Sequence, residues 1–173
     1  MAKRNFINNA DFTEALRDFR RKLEKNPEVI PSDYIGKCII ALCTNLTRHR
    51  RFSGYTHGWK DMMISDGIMD CVRCIRGFDP DRGSAFAYFT RAAWNAFRRR
   101  IDEEKTATYV KHKNMQNMHL NGEIDSDISN NDLSNSVIKE FEDYRIVKKD
   151  RRAAKREAAA EEKKLTSQAD GIV

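Results

Sequence analysis

The chain has 173 residues, which is enough for one domain with an extension and too few for two domains of ordinary size. Charged residues make up 34% and hydrophobic residues 40%, and Lys and Arg exceed Asp and Glu by 32 to 26, a net charge of +6. This mild basic excess favours a polyanionic partner. No apolar run approaches the roughly 20 residues of a membrane span, and the basic start MAKRNF is not followed by the apolar block of a signal peptide. We therefore expect no membrane partner and a cytoplasmic location.

Apolar residues at helical spacing predict three helices in the first half of the chain, at 9–25, 32–50 and about 57–77. Asn9 or Asp11 is suited to cap the first and Thr56 the third. The predicted core positions are Phe12, Leu16, Phe19, Leu23, Ile35, Ile39, Leu42, Leu46, Ile64, Ile68, Cys71, Val72 and Ile75. No strand alternation of any length occurs, so the predicted fold class is all-α.

The outward face of the third helix combines large apolar side chains with charged ones. Its members are Trp59, Met62, Asp66, Met69, Asp70 and Arg73. Flexible methionines beside carboxylates are typical of a protein-docking surface. In the alternative interpretation, Trp59 and the methionines pack on the first helix. We favour docking because the opposite stripe of this helix already serves the core.

A turn and a fourth helix, from Ser84 to about 104, follow. The turn contains Asp79, Pro80, Asp81 and Gly83, and Ser84 is a suitable N-cap. One predicted face of the helix is apolar and carries Phe86, Phe89, Thr90, Ala93, Trp94, Phe97 and Ile101. The other face carries Tyr88, Arg91, Asn95, Arg98, Arg99 and Asp102. Arginine suits phosphate and base edges and a tyrosine ring stacks on a nucleobase. Composition alone leaves two interpretations open, a nucleic-acid-binding face and an Arg-rich solvent face with a half-buried Tyr.

Periodicity weakens from residue 106 to residue 120, and the Asn-, Asp- and Ser-rich segment 121–135 has the composition of a flexible linker. Beyond it, an amphipathic start is followed by KKDRRAAKREAAAEEKK, which is strongly helix-prone but has almost nothing to bury. We thus predict a helical domain at 1–120, a linker at 121–135 and a charged helical extension at 136–173.

The four cysteines are Cys38, Cys43, Cys71 and Cys74, in two closely spaced pairs. Both pairs lie within helical patterns and not in Gly-rich knuckles, so buried, reduced thiols are preferred to a zinc site. The four histidines are scattered, and neither a phosphate-binding Gly loop nor a nucleophile with its base is recognisable. We predict no catalytic residue, no metal and no cofactor.

The order of these motifs resembles region 2 of the bacterial sigma factors. That family has an acidic residue with Gly, an apolar helix, Phe with Asp or Glu, Arg-Gly and an aromatic helix. The corresponding segments here are Asp66-Gly67, Phe78-Asp79, Arg82-Gly83 and the run from Phe86 to Arg100. The stretch FSGYTHGWKDMMISDGI, with WNAF further on, is similar to the late-promoter sigma factors of T-even-type phages. The resemblance covers about residues 32–110.

The resemblance implies a compact helical bundle of the sigma region 2 type with a partly flexible C-terminal extension. It implies binding to the clamp helices of the β′ subunit of host core RNA polymerase, in the bacterial cytoplasm, through Met62, Asp66, Met69, Asp70 and Arg73. It implies contact with AT-rich promoter DNA, aided by a phage coactivator where melting is weak. The implied DNA-binding residues are Phe78, Arg82, Tyr88, Phe89, Arg91, Asn95, Arg98 and Arg99.

Two departures from the family pattern are visible. Primary sigma factors carry two consecutive Trp in the promoter-melting helix, where this chain has Ala92-Ala93 followed by Trp94. The phage relatives end in a hydrophobic and acidic motif that binds the sliding clamp, and LTSQADGIV does not match it, so a sliding-clamp partner is not supported. The alternatives to a sigma factor are a polymerase-binding adaptor or anti-sigma protein that does not read DNA, and a nonspecific nucleic-acid chaperone.

Overall fold

A computed structural model of the chain describes residues 7–122 and 131–169, with backbone alone at 131 and 162–169. All regular structure within these ranges is helical, which confirms the all-α prediction. The elements are α1 (Asn9–Lys25), α2 (Asp33–Leu46), α3 (His57–Cys74), a 3-10 turn (Ile75–Gly77), α4 (Ala85–Leu120) and α5 (Asn131–Ala169). None of the helices in the described ranges is long and apolar enough to span a membrane.

The chain divides into two units, 1–102 and 103–173, and α4 contributes residues to both. In the first unit, α1, α2, α3 and the start of α4 enclose the main core. Its buried members are Phe12, Leu16, Phe19, Ile35, Cys38, Ile39, Leu42, Cys43, Cys71, Ile75, Phe78, Ala85, Phe89 and Ala93. Val72 and Phe86 were predicted to face this core and are exposed. Each lies at the edge of its helix's apolar stripe, one residue after a fully buried position, and a helix turns about 100° per residue.

A second, smaller cluster in the same unit consists of Phe52, Met63 and Phe97. The rings of Phe52 and Phe97 meet edge to face with centroids 5.1 Å apart. Phe52 explains why α2 ends at Leu46 and not at the predicted residue 50. The chain leaves the helix through successive turns, with the His49 amide donating to the Leu46 carbonyl at 3.0 Å, and these turns bring Phe52 into this cluster.

In the second unit, the part of α4 after residue 102 packs along the first half of α5. The rings of Tyr109 and Phe141 stack with centroids 4.7 Å apart. His112 Nδ1 and Ser134 Oγ are hydrogen-bonded at 3.1 Å, and Ser134 is buried. The prediction that the fourth helix ends near residue 104 is therefore wrong. Residues 106–120 are only weakly periodic because they have a single helix to pack against.

The segment predicted as a linker overlaps the start of α5. α4 ends where Asn-Gly was expected to break it: Gly122 has a φ of +72° and its amide donates to the His119 carbonyl at 3.0 Å. α5 already begins at Asn131, inside the predicted linker of 121–135, and residues 123–130 lie outside the described ranges. Asn, Asp and Ser favour helix starts as much as loops, so composition alone does not separate the two.

Candidate interface for nucleic acid and a protein partner

The N-terminus of α4 is capped by Ser84 together with a residue of α1. The Ala87 amide donates to Ser84 Oγ at 3.4 Å, the capping role predicted from the sequence. The Ser84 hydroxyl and the Phe86 amide each donate to Asn9 Oδ1 at 3.0 Å. Asn9 therefore does not cap α1, since that role belongs to Asn8, whose Oδ1 accepts from the Ala10 amide at 3.0 Å. Asn9 instead ties the start of α4 to the start of α1.

The turn between α3 and α4 is also held by α1, through two arginines. Arg20 Nη1 donates to the Phe78 carbonyl and contacts the Asp79 carboxylate, both at 3.2 Å. Arg17 Nη2 lies 3.4 Å from Asp81 Oδ1. Each of these exposed ion pairs contributes little to stability on its own, because water screens it. Together they keep the turn next to α1.

Arg82 projects from this turn into solvent. Its side chain is 88% exposed, and Nε lies 3.3 Å from Asp79 Oδ2. A pair of this kind exchanges readily with an incoming phosphate, because little burial holds the guanidinium in place. The predicted role of Arg82 in DNA binding is compatible with this position and stays a prediction.

Two of the aromatic residues predicted to lie beside a melted DNA strand are part of the core. Phe89 is completely buried, and its ring contacts those of Phe12 at 5.5 Å and Phe78 at 5.6 Å. Phe78 is itself 5% exposed. The expectation that Phe78 and Phe89 provide a stacking surface is therefore wrong, because both rings fill the space between α1 and α4.

Tyr88 is one of two rings that this end of α4 presents to solvent, with 37% of the residue exposed, and Phe86 is the other. Its ring packs on that of Phe78 at 5.1 Å, and its hydroxyl donates to the Cys74 carbonyl at 3.3 Å. Partial burial, followed by the neighbouring Cys74 thiol, raises the pKa of the Tyr88 phenol. A ring backed by Phe78 and fixed at its hydroxyl is a rigid surface for stacking.

Tyr88 heads a stripe of polar side chains along α4 that continues through Arg91, Asn95 and Arg98. All four residues are exposed, and the spacing of three, four and three residues keeps them on one side of the helix. At 1.5 Å per residue the stripe is about 15 Å long. Within the described ranges, Arg91, Asn95 and Arg98 make no side-chain hydrogen bond or ion pair. We call these four residues the α4 stripe.

The carboxylates predicted to face a protein partner are instead paired with arginines of α4. Arg100 donates to Asp66 from Nε at 2.6 Å and from Nη2 at 2.9 Å, and the Asp66 side chain is only 17% exposed. Asp70 accepts from Arg99 Nη2 at 3.0 Å and lies 3.7 Å from Arg73 Nη1. The surfaces predicted for polymerase and for DNA therefore adjoin each other, and the ion pair between Asp70 and Arg99 joins them.

The methionines of α3 are the part of the predicted docking surface that is exposed. Met62 and Met69 are each 53% exposed, and Arg73 Nη2 lies 3.7 Å from Met69 Sδ. Met63, between them in sequence, is fully buried. Two exposed flexible thioethers, of which that of Met69 lies next to an arginine, fit a protein partner better than they fit DNA.

Trp94 lies in an aromatic cluster that the sequence did not reveal. Its ring meets those of Phe52 at 4.8 Å and His49 at 4.9 Å, both edge to face, and the Arg51 guanidinium lies 6.0 Å from its centroid. The basic segment 48–51 thus contributes His49 and Arg51 to this cluster. Its 43-residue separation from Trp94 in the sequence left no local signal of this contact.

The cysteines are free thiols, with Cys38, Cys43 and Cys71 buried and Cys74 half-buried. Cys71 Sγ donates to the Phe89 carbonyl at 3.5 Å. A hydrogen bond with Cys43 and then burial raise the pKa of the Cys71 thiol far above its usual range. Within the described ranges, no three His, Cys, Asp or Glu residues group in a way that could hold a metal ion.

No protein-family model matches the chain, and no curated protein matches it. The site is therefore interpreted from its own residues.

Proposed function

We propose that the chain is a promoter-specificity subunit, a sigma factor of the phage type, that binds bacterial core RNA polymerase and directs it to AT-rich promoters. The observation that carries this proposal is the α4 stripe, in which the exposed Tyr88 ring continues into Arg91, Asn95 and Arg98. Arginine and asparagine contact phosphates and base edges, and the tyrosine ring accepts an unstacked base.

The length of the stripe fits this role. Duplex DNA carries one charge per about 1.7 Å of axis, so a stripe of about 15 Å spans several phosphates. A base stacked on Tyr88 contributes on the order of 1–3 kcal/mol. AT-rich duplex is deformed and opened at low cost, and one exposed ring with a row of cations supplies part of that cost.

The polymerase contact is proposed for the exposed part of α3. Met62, Met69 and Arg73 are exposed on α3, and Met69 lies beside the Arg73 guanidinium. Asp66 and Asp70 contribute less directly, because their carboxylates already bind Arg100 and Arg99. The occupant proposed for this surface is the pair of clamp helices of the polymerase β′ subunit.

The second candidate function is a polymerase-binding adaptor that does not read DNA. The burial of Phe78 and Phe89 favours it, since two of the three aromatic residues expected at the melted strand are unavailable for stacking. An adaptor would use the methionine surface of α3 alone. The two functions differ in whether the α4 stripe matters.

Run-off transcription with purified bacterial core polymerase distinguishes them. The templates carry a TATA-like promoter or its scrambled sequence, and each variant is also tested for binding to core polymerase by sedimentation. We expect promoter-dependent transcripts from the wild type, their loss with Arg91→Ala/Arg98→Ala at unchanged polymerase binding, and loss of polymerase binding with Met62→Ala/Met69→Ala.

Lys25→Ala/Lys37→Ala is the matched control, because both lysines are exposed and lie on α1 and α2. Polymerase binding without promoter-dependent transcripts would support the adaptor. Equal defects in both assays for both variant pairs would show that the two surfaces do not act separately.

A further inference from the structure

Residues 148–161 of α5 separate their charges by sign. Between residues 148 and 161, at about 100° per residue, every cation falls within an arc of about 160°. The cations are Lys148, Lys149, Arg151, Arg152, Lys155 and Arg156. The anions Asp150, Glu157 and Glu161 lie together on the opposite side. A helix that is merely solvated mixes the two signs, because Glu and Lys four residues apart attract each other.

This arrangement of charges destabilises the helix when no polyanion is bound to it. Arg152 has cations at each of the positions three and four residues away in both directions. These neighbours are Lys148, Lys149, Lys155 and Arg156. Like charges at these spacings destabilise a helix, and the anions are too far around it to compensate. A polyanion lying along this face would remove the repulsion.

The basic face continues the side of α5 that packs on α4. Ile138, Phe141 and Tyr144 make the packing contacts of the first half, and the cations follow them on the same side of the helix. Lys148 lies where the apolar part of this side ends and the cationic part begins, and its Nζ is 5.5 Å from the Tyr144 ring centroid. Every residue from 149 to 161 is exposed. The side of α5 that packs on α4 is thus apolar and buried in its first half, and cationic and exposed from residue 149 to residue 161.

We infer that this face binds the phosphate backbone of duplex DNA without regard to sequence. The residues concerned, which we call the α5 basic stripe, are Lys149, Arg151, Arg152, Lys155 and Arg156. None of them makes an ion pair with a residue whose side chain the structure describes. The inference extends the proposed function and rests on it for the choice of DNA as the polyanion.

The length of the α5 basic stripe matches the spacing of phosphates in duplex DNA. From Lys149 to Arg156 the helix rises about 10 Å, and duplex DNA presents about six phosphates over that length. Five cations within a 160° arc meet them without the helix having to bend. Because the stripe contains no aromatic residue and no amide side chain, it would contribute affinity and not base specificity.

The test measures binding of the full chain, without polymerase, to a 30-base-pair duplex of random sequence over a range of salt concentrations. The variant is Arg151→Gln/Arg152→Gln/Lys155→Gln. The matched control, Lys25→Gln/Lys37→Gln/Lys111→Gln, removes the same charge from exposed lysines of α1, α2 and α4. We expect the slope of log K against log salt to fall by about 2.7 in the stripe variant, about 0.9 per lost contact, and to stay at the wild-type value in the control.

Equal slopes for the stripe variant and the wild type would overturn the inference. So would stripe-dependent binding to phosphatidylserine vesicles with no such dependence for the duplex, since the occupant would then be a membrane surface. Because this assay contains neither promoter nor polymerase, its failure leaves the promoter-specificity proposal standing. Conversely, if the wild-type protein fails in run-off transcription but binds duplex DNA through the α5 basic stripe, only the proposed function is refuted.

Discussion

Arg100 donates two hydrogen bonds to the carboxylate of Asp66, from Nε at 2.6 Å and from Nη2 at 2.9 Å, and so joins α4 to α3. The pair is mostly shielded from solvent, with 32% of the Arg100 side chain and 17% of the Asp66 side chain exposed. Two-point arginine–carboxylate contacts are the stronger kind of ion pair. A residue predicted to contact polymerase therefore has a role in stability.

Asp66→Ala is expected to lower the free energy of unfolding by about 1–3 kcal/mol, because hydrogen bonds to charged groups contribute this much and Arg100 would lose its partner. Urea denaturation followed by circular dichroism measures the change. Asp61→Ala is the control on the same helix, since Asp61 pairs only with the exposed His57 at 2.9 Å. An Asp66 effect no larger than that of Asp61 would contradict the structural role.

Gly67→Ala is expected to destabilise the first unit by about 1–3 kcal/mol through overpacking. A Cβ at this position would lie 2.8 Å from Phe97 Cε1 and 3.2 Å from Cys43 Sγ. Gly36→Ala is the matched control in α2, where a Cβ would meet nothing within 4 Å, and we expect it to stabilise by about 0.5–1 kcal/mol. Thermal denaturation of both variants tests the pair, and a tolerated Gly67→Ala would show that α3 and α4 lie further apart.

Stability is expected to fall at alkaline pH because of Cys71. Its hydrogen bond with Cys43 and its burial raise the pKa of the folded thiol above the ordinary value of 9.0. Above that pH the unfolded chain binds fewer protons than the folded one, so the free energy of unfolding decreases as pH rises. We expect little contribution from this thiol between pH 6 and 8 and a loss of about 1.4 kcal/mol per pH unit above pH 9.

Urea denaturation as a function of pH measures this dependence. Cys71→Ala supplies the comparison: it should be less stable at neutral pH, because a buried group is lost, but should show a shallower alkaline decline. Parallel curves for the variant and the wild type would exclude Cys71 as the cause. The Cys38 and Cys74 thiols, whose pKa burial also raises, account for part of the remaining slope.

Phe89→Ala is expected to cost about 3–5 kcal/mol, the usual loss for a buried phenylalanine. Tyr88→Phe removes only the hydrogen bond from the hydroxyl to the Cys74 carbonyl and should cost about 0.5–1.5 kcal/mol. Urea denaturation compares the two neighbouring positions directly. Similar losses would mean that the two rings are not divided between core and surface as described.

The helical class, the bounds of α1 and most core positions could be predicted from apolar spacing, because burial repeats with the turn of the helix. Spacing failed at the ends of elements. Phe78 follows the 3-10 turn after α3, where no period indicates its direction, and Phe86 was placed on the apolar face of α4 but is exposed. Spacing placed Phe89 on the buried face correctly, and only the resemblance grouped it with the DNA-binding residues. The resemblance groups these aromatic residues as one surface. It therefore does not distinguish a buried ring that supports the site from a ring that is exposed in it.

The candidate site was predictable in its residue types and less so in its pairings. Arg99 was expected to lie on the face of α4 turned away from the core, yet it binds Asp70 across 29 residues of sequence. Arg100, which was assigned to neither face, binds Asp66 across 34 residues. Side chains as long as arginine reach across a helix interface from positions that a helical projection assigns to solvent. Arg91 and Arg98, on the same projection, are exposed as expected.

The ion pairs of Arg17 and Arg20 with the turn between α3 and α4 have a consequence for any titration with salt. Ions that compete for phosphates also weaken these exposed ion pairs. Raising the ionic strength therefore loosens the turn that carries Arg82 and at the same time reduces the affinity of the arginines for DNA phosphates. A steep salt response in promoter binding would then report two events at once. Repeating the titration with α1 unable to hold the turn, as in Arg17→Gln/Arg20→Gln, would divide the response between them.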